Sequence, residues 1–396
     1  MNAPSRFPPF SGHAVTHGHG ASHGHGNPSI GMLTTFPPTP CGLATFSAGL
    51  AHGLSAKGCD VGVVRVADGQ EASSAAVVGE FVPGSSASIA GCVELLNQRD
   101  VAVLQHDFDL YGDAVLDVID DLRVPAIVVA HDVPKHPSAQ QLSLMRAMVA
   151  KAGRVVAMSE AATDRLCLDY AVDRRKVVAI HRGATLPTVA PLKRAGRPTL
   201  LTWGLMGPGK GVERVIDAMA SLKELRGQPR YLVAGATHPR VLATEGEAYR
   251  ESCVERARAT GVAGAVGFDS IYRSTASLAA LIQTSAAVVL PYDSTDQANS
   301  GVLVDALAAG RPVVATAFPH AVELLGSGAG VVVDHDDPDA LLLALRRMLT
   351  DPRMTGDMAA EARRLAPSMG WPVAASAYLD LVRRVVSERT AMVGRS

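Results

Sequence analysis

Short apolar runs alternate with helix-like stretches along the chain from Gly31 onward. In the first half these runs read DVGVVRV, VAVLQ, AIVVA and RVVAM, at residues 60–66, 101–105, 126–130 and 154–158. They are continuous in Val, Ile and Ala instead of alternating between apolar and polar positions. Continuous runs are typical of parallel strands that are buried on both faces, with helices covering the sheet. The pattern predicts a doubly wound, Rossmann-like α/β domain.

A second series of apolar runs begins after the polar, Pro-rich segment TLPTVAPLKRAGRP at 185–198. Its members are TLLTWG at 199–204, RYLVAG at 230–235, AAVVLP at 286–291, PVVAT at 312–316 and GVVVD at 330–334. We therefore expect an amino-terminal domain at 29–185, a linker at 186–198, a second Rossmann-like domain at 199–367 and a closing helix at 368–390 that crosses back to the first domain. Two such domains facing each other create a deep cleft at the carboxyl ends of their strands, where ligands of these sheets bind.

Residues 1–28 are rich in Gly, Pro, Ser and His, and they contain too few apolar side chains to order themselves. We expect a disordered tail. Its histidines are His13, His17, His19, His23 and His25. They could bind transition metals loosely, although the pattern favours a solvated linker.

Charge and composition exclude several classes of function. The chain has 396 residues, which favours two domains, and its 37 basic residues are balanced by 38 acidic ones, so we expect no nucleic-acid partner. Its five cysteines are scattered without the spacing of a zinc site or a disulfide framework, which favours a cytoplasmic protein. No run reaches the roughly 20 apolar residues that a transmembrane helix needs. Peripheral docking at the inner membrane surface, on a lipid-linked acceptor, remains open.

The stretch LLTWGLMGPGKGVERVIDAM at 200–219 has the pattern of a phosphate-binding loop: a strand, a Gly-rich loop with one lysine, and an amphipathic helix. Gly204 and Gly209 allow the backbone to approach an anion closely, and Lys210 adds a positive charge. A Gly-rich turn without a ligand is the alternative interpretation.

The stretch PYDSTDQANSGVLVDALAAGRPVVAT at 291–316 has the same order of strand, polar loop, helix and strand. Ser300, Gly301 and Val302 fall at the amino end of the helix, where free N–H groups can hold a diphosphate. Asp305, about one turn further along, can accept hydrogen bonds from ribose hydroxyls. An ordinary exposed helix position is the alternative for Asp305.

These two stretches resemble the family 4 retaining glycosyltransferases, which have the GT-B fold of two Rossmann-like domains. The second domain of that family carries a Gly-rich loop with a lysine, followed by two glutamates separated by seven residues. In this chain Lys210 stands at the lysine, Gln297 at the first glutamate and Asp305 at the second. Leu205 stands where the family usually has an arginine.

The resemblance extends over roughly residues 29–385 and implies further site residues. Gly42 would lie close to the donor phosphate, and His131 resembles the histidine beside the transferred sugar. Glu323 matches a glutamate near the donor, although a glutamate at a helix start is also explained by the helix dipole. The residues expected to contact substrate without a defined role are His106, Arg182 and His238. Taken alone, each of these histidines is more often structural.

The resemblance implies transfer of a hexosyl group from a nucleotide-sugar donor, with retention, no metal ion and no cofactor other than the donor substrate. The acceptor is an unknown sugar, lipid-linked molecule or small molecule, and His131 and Lys210 are the expected catalytic residues. Rival enzymatic functions for the same cleft are a glycoside phosphorylase and a nucleotide-sugar epimerase. A catalytically inactive nucleotide-sugar-binding protein is the non-enzymatic rival.

Overall fold

The computed structural model describes residues 27–187 and 196–393, and its first domain is built on a seven-stranded sheet. The strands are β1 (Ile30–Thr34), β2 (Val61–Val66), β3 (Val77–Phe81), β4 (Val101–His106), β5 (Ala126–Ala130), β6 (Arg154–Ala157) and β7 (Val177–Ala179). They are all parallel and lie in the order β3-β2-β1-β4-β5-β6-β7. The strand order reverses between β1 and β4, which is where ligands of such sheets bind.

A six-stranded parallel sheet forms the second domain. Its strands are β8 (Thr199–Trp203), β9 (Arg230–Ala234), β10 (Val266–Asp269), β11 (Ala287–Leu290), β12 (Val313–Thr316) and β13 (Gly330–Val333). Their order is β10-β9-β8-β11-β12-β13, with the reversal between β8 and β11. The prediction of two Rossmann-like, doubly wound domains is confirmed.

Helices connect the strands and cover the sheets. The first domain contains α1 (Gly42–Ser55), α2 (Ser86–Asn97), α3 (Phe108–Tyr111), α4 (Ala114–Asp121), α5 (Ala139–Lys151) and α6 (Glu160–Leu168). After β8 follow α7 (Val212–Leu222), α8 (Pro239–Glu245), α9 (Ala248–Ala259), α10 (Thr275–Thr284), α11 (Gly301–Ala308), α12 (Pro319–Leu325), α13 (Pro338–Thr350), α14 (Pro352–Leu365) and α15 (Trp371–Val393). Serine side chains at several helix starts accept a backbone N–H and fix where the helix begins, as Ser138 does with a full capping box on α5.

The last helix returns to the first domain. The Ala184 N–H donates to the Met369 carbonyl at 2.7 Å, and the Trp371 N–H donates to the Ala184 carbonyl at 3.2 Å, so the two crossing segments run side by side. From there α15 packs along α1 and contributes Tyr378, 1% exposed, to the core of the first domain. Trp371, at the start of this helix, is only partly buried and lies in the wall of the interdomain cleft.

Two of the predicted segments lie mostly outside the described residues. The structure describes only residues 27 and 28 of the predicted tail, and it leaves out residues 188–195 of the predicted linker. Within residues 27–187 and 196–393, no helix is long and apolar enough to cross a membrane. All five cysteines are free thiols.

Candidate active site

A cavity of about 510 Å³ lies between the two domains, at the carboxyl ends of the strands. The loops that follow β1, β4, β8 and β11 all contribute to its walls. Nine of the residues predicted from the sequence line it together: Gly42, Arg182, Gly204, Lys210, His238, Gln297, Gly301, Val302 and Asp305. Five predicted residues do not line it: His106, His131, Gly209, Ser300 and Glu323.

The Gly-rich loop after β8 depends on its glycines for its path. Gly204 and Gly211 have φ values of 123° and 62°, a region that side-chain-bearing residues rarely adopt. A Cβ on Gly211 would lie 1.8 Å from the Pro291 carbonyl oxygen, so this position also requires close contact with the strand end beside it. Gly209, with φ 85°, turns the loop without facing the cavity. The loop thereby places Lys210 at the cavity wall.

Lys210 is a partly buried cation. Its Nζ lies 4.6 Å from the centre of the Tyr292 ring, and burial lowers the pKa of the amine below its usual range. No ion pair joins Lys210 to any residue in the described part of the chain. An anionic ligand group in the cavity would supply the missing counter-charge.

The amino end of α11 faces the cavity with two free N–H groups. The Ser300 side chain caps the helix by accepting the Leu303 N–H at 3.3 Å, and the Ser300 N–H donates to Nδ1 of His320 at 2.8 Å. Ser300 is therefore fully engaged in shaping the helix start. The N–H groups of Gly301 and Val302 have no acceptor among the residues that the structure describes, so they are available to an anion.

Asp305 lies one turn into α11 and lines the same cavity. Burial raises the pKa of its carboxyl group to about 6, and the Arg182 guanidinium opposes this rise. Asp305 is therefore not the freely exposed helix residue that the sequence left as an alternative. At neutral pH it presents a carboxylate that can accept hydrogen bonds.

Gln297 reaches the cavity from a segment that is docked on the first domain. Its Nε2 donates to the Asn299 carbonyl at 3.0 Å, which holds the loop before α11. Asp296 accepts hydrogen bonds from the Lys135 N–H at 3.0 Å and forms an ion pair with Arg165 of α6 at 2.6 Å. Ala298 packs into the core of the first domain. The loop that precedes the free N–H groups is thus held by the opposite domain.

Both predicted amino-domain histidines lie behind the cavity wall. The Nε2–H of His131 donates to Oε1 of Gln105 at 2.7 Å, and its ring meets Phe46 edge-on at 4.8 Å. Burial, with Arg182 nearby, lowers the pKa of His131 to about 3. Burial also lowers the pKa of His106 to about 4, and both of its ring nitrogens lack a partner in the described residues. Both rings are therefore neutral at physiological pH.

Two further predicted residues have partners of their own. The Glu323 carboxylate accepts the Glu160 N–H at 3.1 and 3.2 Å, so it binds the amino end of α6 across the domain boundary and not the cavity. His238 lines the cavity and also caps α8, because its Nδ1 accepts the Arg240 N–H at 3.2 Å. Burial, together with the charges of Arg240 and Lys210, lowers the pKa of His238.

Two family models match adjacent halves of the chain. The model described as Glycosyltransferase Family 4 matches residues 40–186, and the model described as Glycosyl transferases group 1 matches residues 189–365. Together they span nearly all of both domains. The chain belongs to the family 4 glycosyltransferases.

Curated relatives of this glycosyltransferase carry the name D-inositol 3-phosphate glycosyltransferase. The protein of Kineococcus radiotolerans is 30% identical over 62% of this chain and 60% of its own length. The protein of Streptomyces avermitilis is 29% identical over 65% of this chain and 56% of its own length. The match to this chain thus spans less than two thirds of either relative.

Solved structures show the same fold at low sequence identity. Sucrose-phosphate synthase from Thermosynechococcus elongatus superposes with a TM-score of 0.73 at 18% identity, covering 91% of this chain and 99% of that one. HepE of Anabaena, in complex with UDP and glucose, superposes with a TM-score of 0.68 at 18% identity, covering 93% and 100%. Both have the two-domain GT-B fold of this glycosyltransferase.

Several residues that line or support the cavity come from segments without a recognisable motif and were not predicted. Tyr272 and Arg273 follow β10, and the Tyr272 hydroxyl meets the Thr45 hydroxyl of the first domain at 3.3 Å. His320 is 1% exposed and fixes the start of α11 through Ser300. No local pattern distinguishes these residues, since each acquires its place only when the elements pack.

Proposed function

We propose that this glycosyltransferase moves a hexosyl group from a nucleotide-diphosphate sugar to an acceptor hydroxyl, with retention of configuration and without a metal ion. The proposal rests on one observation. Lys210, which has no ion-pair partner in the described residues, lines the same cavity as the free N–H groups of Gly301 and Val302. A diphosphate is the substrate group whose charge and size suit such a site.

The proposed site would act on the leaving group. In the reaction, the bond between the anomeric carbon and the diphosphate oxygen breaks, and its electron pair stays on the diphosphate. The acceptor hydroxyl forms the new bond to that carbon, and its proton goes to the leaving diphosphate oxygen. Negative charge develops on the leaving diphosphate while the sugar ring gains oxocarbenium character. Lys210 and the amino end of α11 would stabilise that charge because they are held in place before the reaction begins.

The carboxylate of Asp305 suits the other end of the donor. It lies four residues beyond Gly301, on the helix whose amino end would receive the diphosphate. We propose that it accepts hydrogen bonds from the ribose hydroxyls, which are charge-assisted contacts. Asp305 is partly buried and close enough to Arg182 for that charge to lower the pKa of its carboxyl group.

A direct assay tests the proposal. The purified chain is incubated with UDP-, GDP- or ADP-hexoses and an acceptor panel, and release of the nucleoside diphosphate is measured together with the mass of the product. The panel includes D-inositol 3-phosphate, because curated relatives carry that name, as well as unphosphorylated inositol and lipid-linked sugars. We expect product with one nucleotide only. Hydrolysis alone, or no turnover with any combination, would contradict the proposal.

Two further arms test its finer parts. Proton NMR of the product gives the anomeric coupling constant, and a product with the configuration of the donor is expected. EDTA should leave turnover unchanged, since the proposed charges are supplied by protein groups; loss of activity that Mg²⁺ or Mn²⁺ restores would contradict metal independence. Replacing the acceptor by inorganic phosphate separates transfer from phosphorolysis, which would yield a sugar phosphate.

A further inference from the structure

We propose that Arg182 is a second ligand for the donor's diphosphate, supplied by the first domain opposite Lys210. This inference rests on the proposed function, because it assigns a residue to the diphosphate of that donor. It also goes further, since it makes donor binding depend on a side chain outside the domain that carries Lys210 and α11.

The backbone holds Arg182 in a fixed place. The loop after β7 begins with Ile180, which is 5% exposed in the core of the first domain. It continues to Gly183, where a Cβ would lie 2.3 Å from the Trp371 ring, so only glycine permits the close approach. Ala184 then pairs with Met369 and Trp371. The arginine therefore stands on a loop that is tied down on both sides.

The guanidinium of Arg182 is buried without a counter-ion. The residue is 9% exposed, and the guanidinium carbon lies 5.5 Å from the centre of the Phe46 ring. Its Nε has no hydrogen-bond partner, and no ion pair joins Arg182 to another residue in the described ranges. A buried charge without a partner is costly for a protein to maintain. The side chain lines the cavity, so an anionic ligand bound there could contact it.

Arg182 also lies against the amino end of α11. A Cβ on Gly301 would come within 2.6 Å of the guanidinium carbon and 2.8 Å of Nε, so this glycine makes room for the arginine. The free N–H of Gly301 and the guanidinium are thus neighbours on one surface. Asp305 is near enough for its pKa to respond to the charge, yet no ion pair joins the two side chains.

The placement specifies the chemistry of the ligand. Two cations without ion-pair partners in the described chain, Arg182 and Lys210, face one cavity from opposite domains, and the free N–H groups of α11 line the same cavity. A diphosphate carries enough negative charge for both, and a guanidinium binds phosphate oxygens with two parallel hydrogen bonds. An acceptor that carries an anionic group is the alternative ligand, and the experiment separates the two.

The test measures dissociation constants of UDP, GDP and ADP, and of uridine, guanosine and adenosine, for wild type and Arg182→Gln. For the base that the wild type binds, the nucleoside diphosphate should lose at least about tenfold in affinity and the nucleoside little. An unchanged constant for the diphosphate, with only the acceptor KM raised, would overturn the inference. Equal loss for nucleoside and nucleoside diphosphate would also overturn it, because that is the result of a structural role.

Two more variants complete the test, one as an alternative to Arg182→Gln and one as its control. Gly301→Ala keeps the backbone N–H at this position and displaces the guanidinium, because the added Cβ would come within 2.6 Å of the guanidinium carbon. We expect the same selective loss of diphosphate affinity, and this variant tests the inference if Arg182→Gln fails to fold. Arg175→Gln removes one positive charge from a side chain that is 90% exposed, and it should leave all the constants unchanged. A wild-type protein that binds none of the three nucleoside diphosphates would contradict the proposed function itself, and the inference with it.

Discussion

Lys210 combines partial burial with a position against an aromatic ring, and these two features predict how a variant will behave. Lys210→Ala removes the charge while leaving the loop glycines and Tyr292 in place. Since removal of one preorganised group that stabilises developing charge costs about 10²–10³ in kcat, we expect kcat/KM to fall by about that factor. Steady-state kinetics and a melting curve provide the measurement.

The matched control for Lys210 is Lys223, which stands at the other end of α7 and donates to the Gly261 carbonyl. Lys223→Ala should keep wild-type kinetics. If Lys210→Ala also kept them, the proposed diphosphate site would be in the wrong place. If it melted well below the control, the lysine would be structural.

Asp305 gives a prediction in which affinity and stability change in opposite directions. Its pKa in the folded protein is about 6, above the value of 3.8 in the unfolded chain, so the folded state binds more protons between these pH values. Stability from this group is present below pH 4 and is lost as the pH rises through 6. Asp305→Asn removes the buried charge, and we expect a higher melting temperature above pH 6, equivalent to at most about 3 kcal/mol.

The same substitution should weaken donor binding by about tenfold or more, because the ribose would lose a charge-assisted acceptor. In the wild type, donor affinity should rise between pH 5 and 7 as Asp305 ionises, and in Asp305→Asn this rise should be missing. His131 and His106, whose pKa values are about 3 and about 4, stay neutral throughout and add no step. Unchanged donor affinity with a lower melting temperature would mean that Asp305 only supports the helix.

Residues whose position follows from a local pattern could be placed from the sequence. Lys210 and Gly301 follow a strand and begin a helix, and both line the cavity as expected. The pattern could not place His131, because whether a residue after a strand faces the cavity depends on neighbours such as Phe46 from another element. For the same reason the partner of Glu323 turned out to be the amino end of α6, a contact between sequence-distant segments.

At the scale of elements, the long apolar runs identified nine of the strands in the described chain, and β1, β3, β7 and β10 were not singled out. β1 is central in its sheet, but its sequence IGMLT contains Gly31 and ends in Thr34, so it gives no long apolar run. The other three are edge strands. β3 has an alternating exposure and β7 has only three residues, so neither produces a continuous apolar run. β10 ends in Asp269 after four residues. Edge strands bury less surface and are under weaker selection for Val and Ile, so their pattern is inherently faint.

The contact between α1 and the start of α15 leaves no room for a side chain at Gly49. A Cβ on Gly49 of α1 would lie 2.2 Å from the Trp371 ring, so Gly49→Ala must push the two elements apart. We expect it to lower the free energy of unfolding by about 1–3 kcal/mol, as overpacking does. Urea denaturation followed by circular dichroism gives the value.

Gly91 of α2 is the matched control, because a Cβ there would meet nothing within 4 Å. Gly91→Ala should raise the free energy of unfolding by up to about 1 kcal/mol, since alanine has the better helix propensity. A Gly49→Ala protein as stable as Gly91→Ala would show that the Trp371 side chain can move aside. The part of the cavity wall that it forms would then be able to rearrange.

At the scale of the whole molecule, one short segment connects the proposed donor site to both domains. Asp296 is held by Arg165 and by the Lys135 N–H, and the next residue, Gln297, lines the cavity. Contacts that hold the domains together therefore also hold the loop that leads to α11. We therefore expect the first domain to influence a site whose Gly-rich loop belongs entirely to the second.

Asp296→Ala tests this coupling, because it removes the carboxylate and leaves Arg165 with its bonds to backbone carbonyls. The ion pair is partly buried, with side chains 10% and 40% exposed, so we expect its loss to cost about 1 kcal/mol and to raise the donor KM by about fivefold. Glu255→Ala breaks the exposed pair with Arg258 in the second domain and should change neither quantity. A double-mutant cycle with Arg165→Ala should show that the two effects on KM are not additive. Additive effects would mean that the two residues act independently, and that the docking of residues 296–299 does not set the geometry of the donor site.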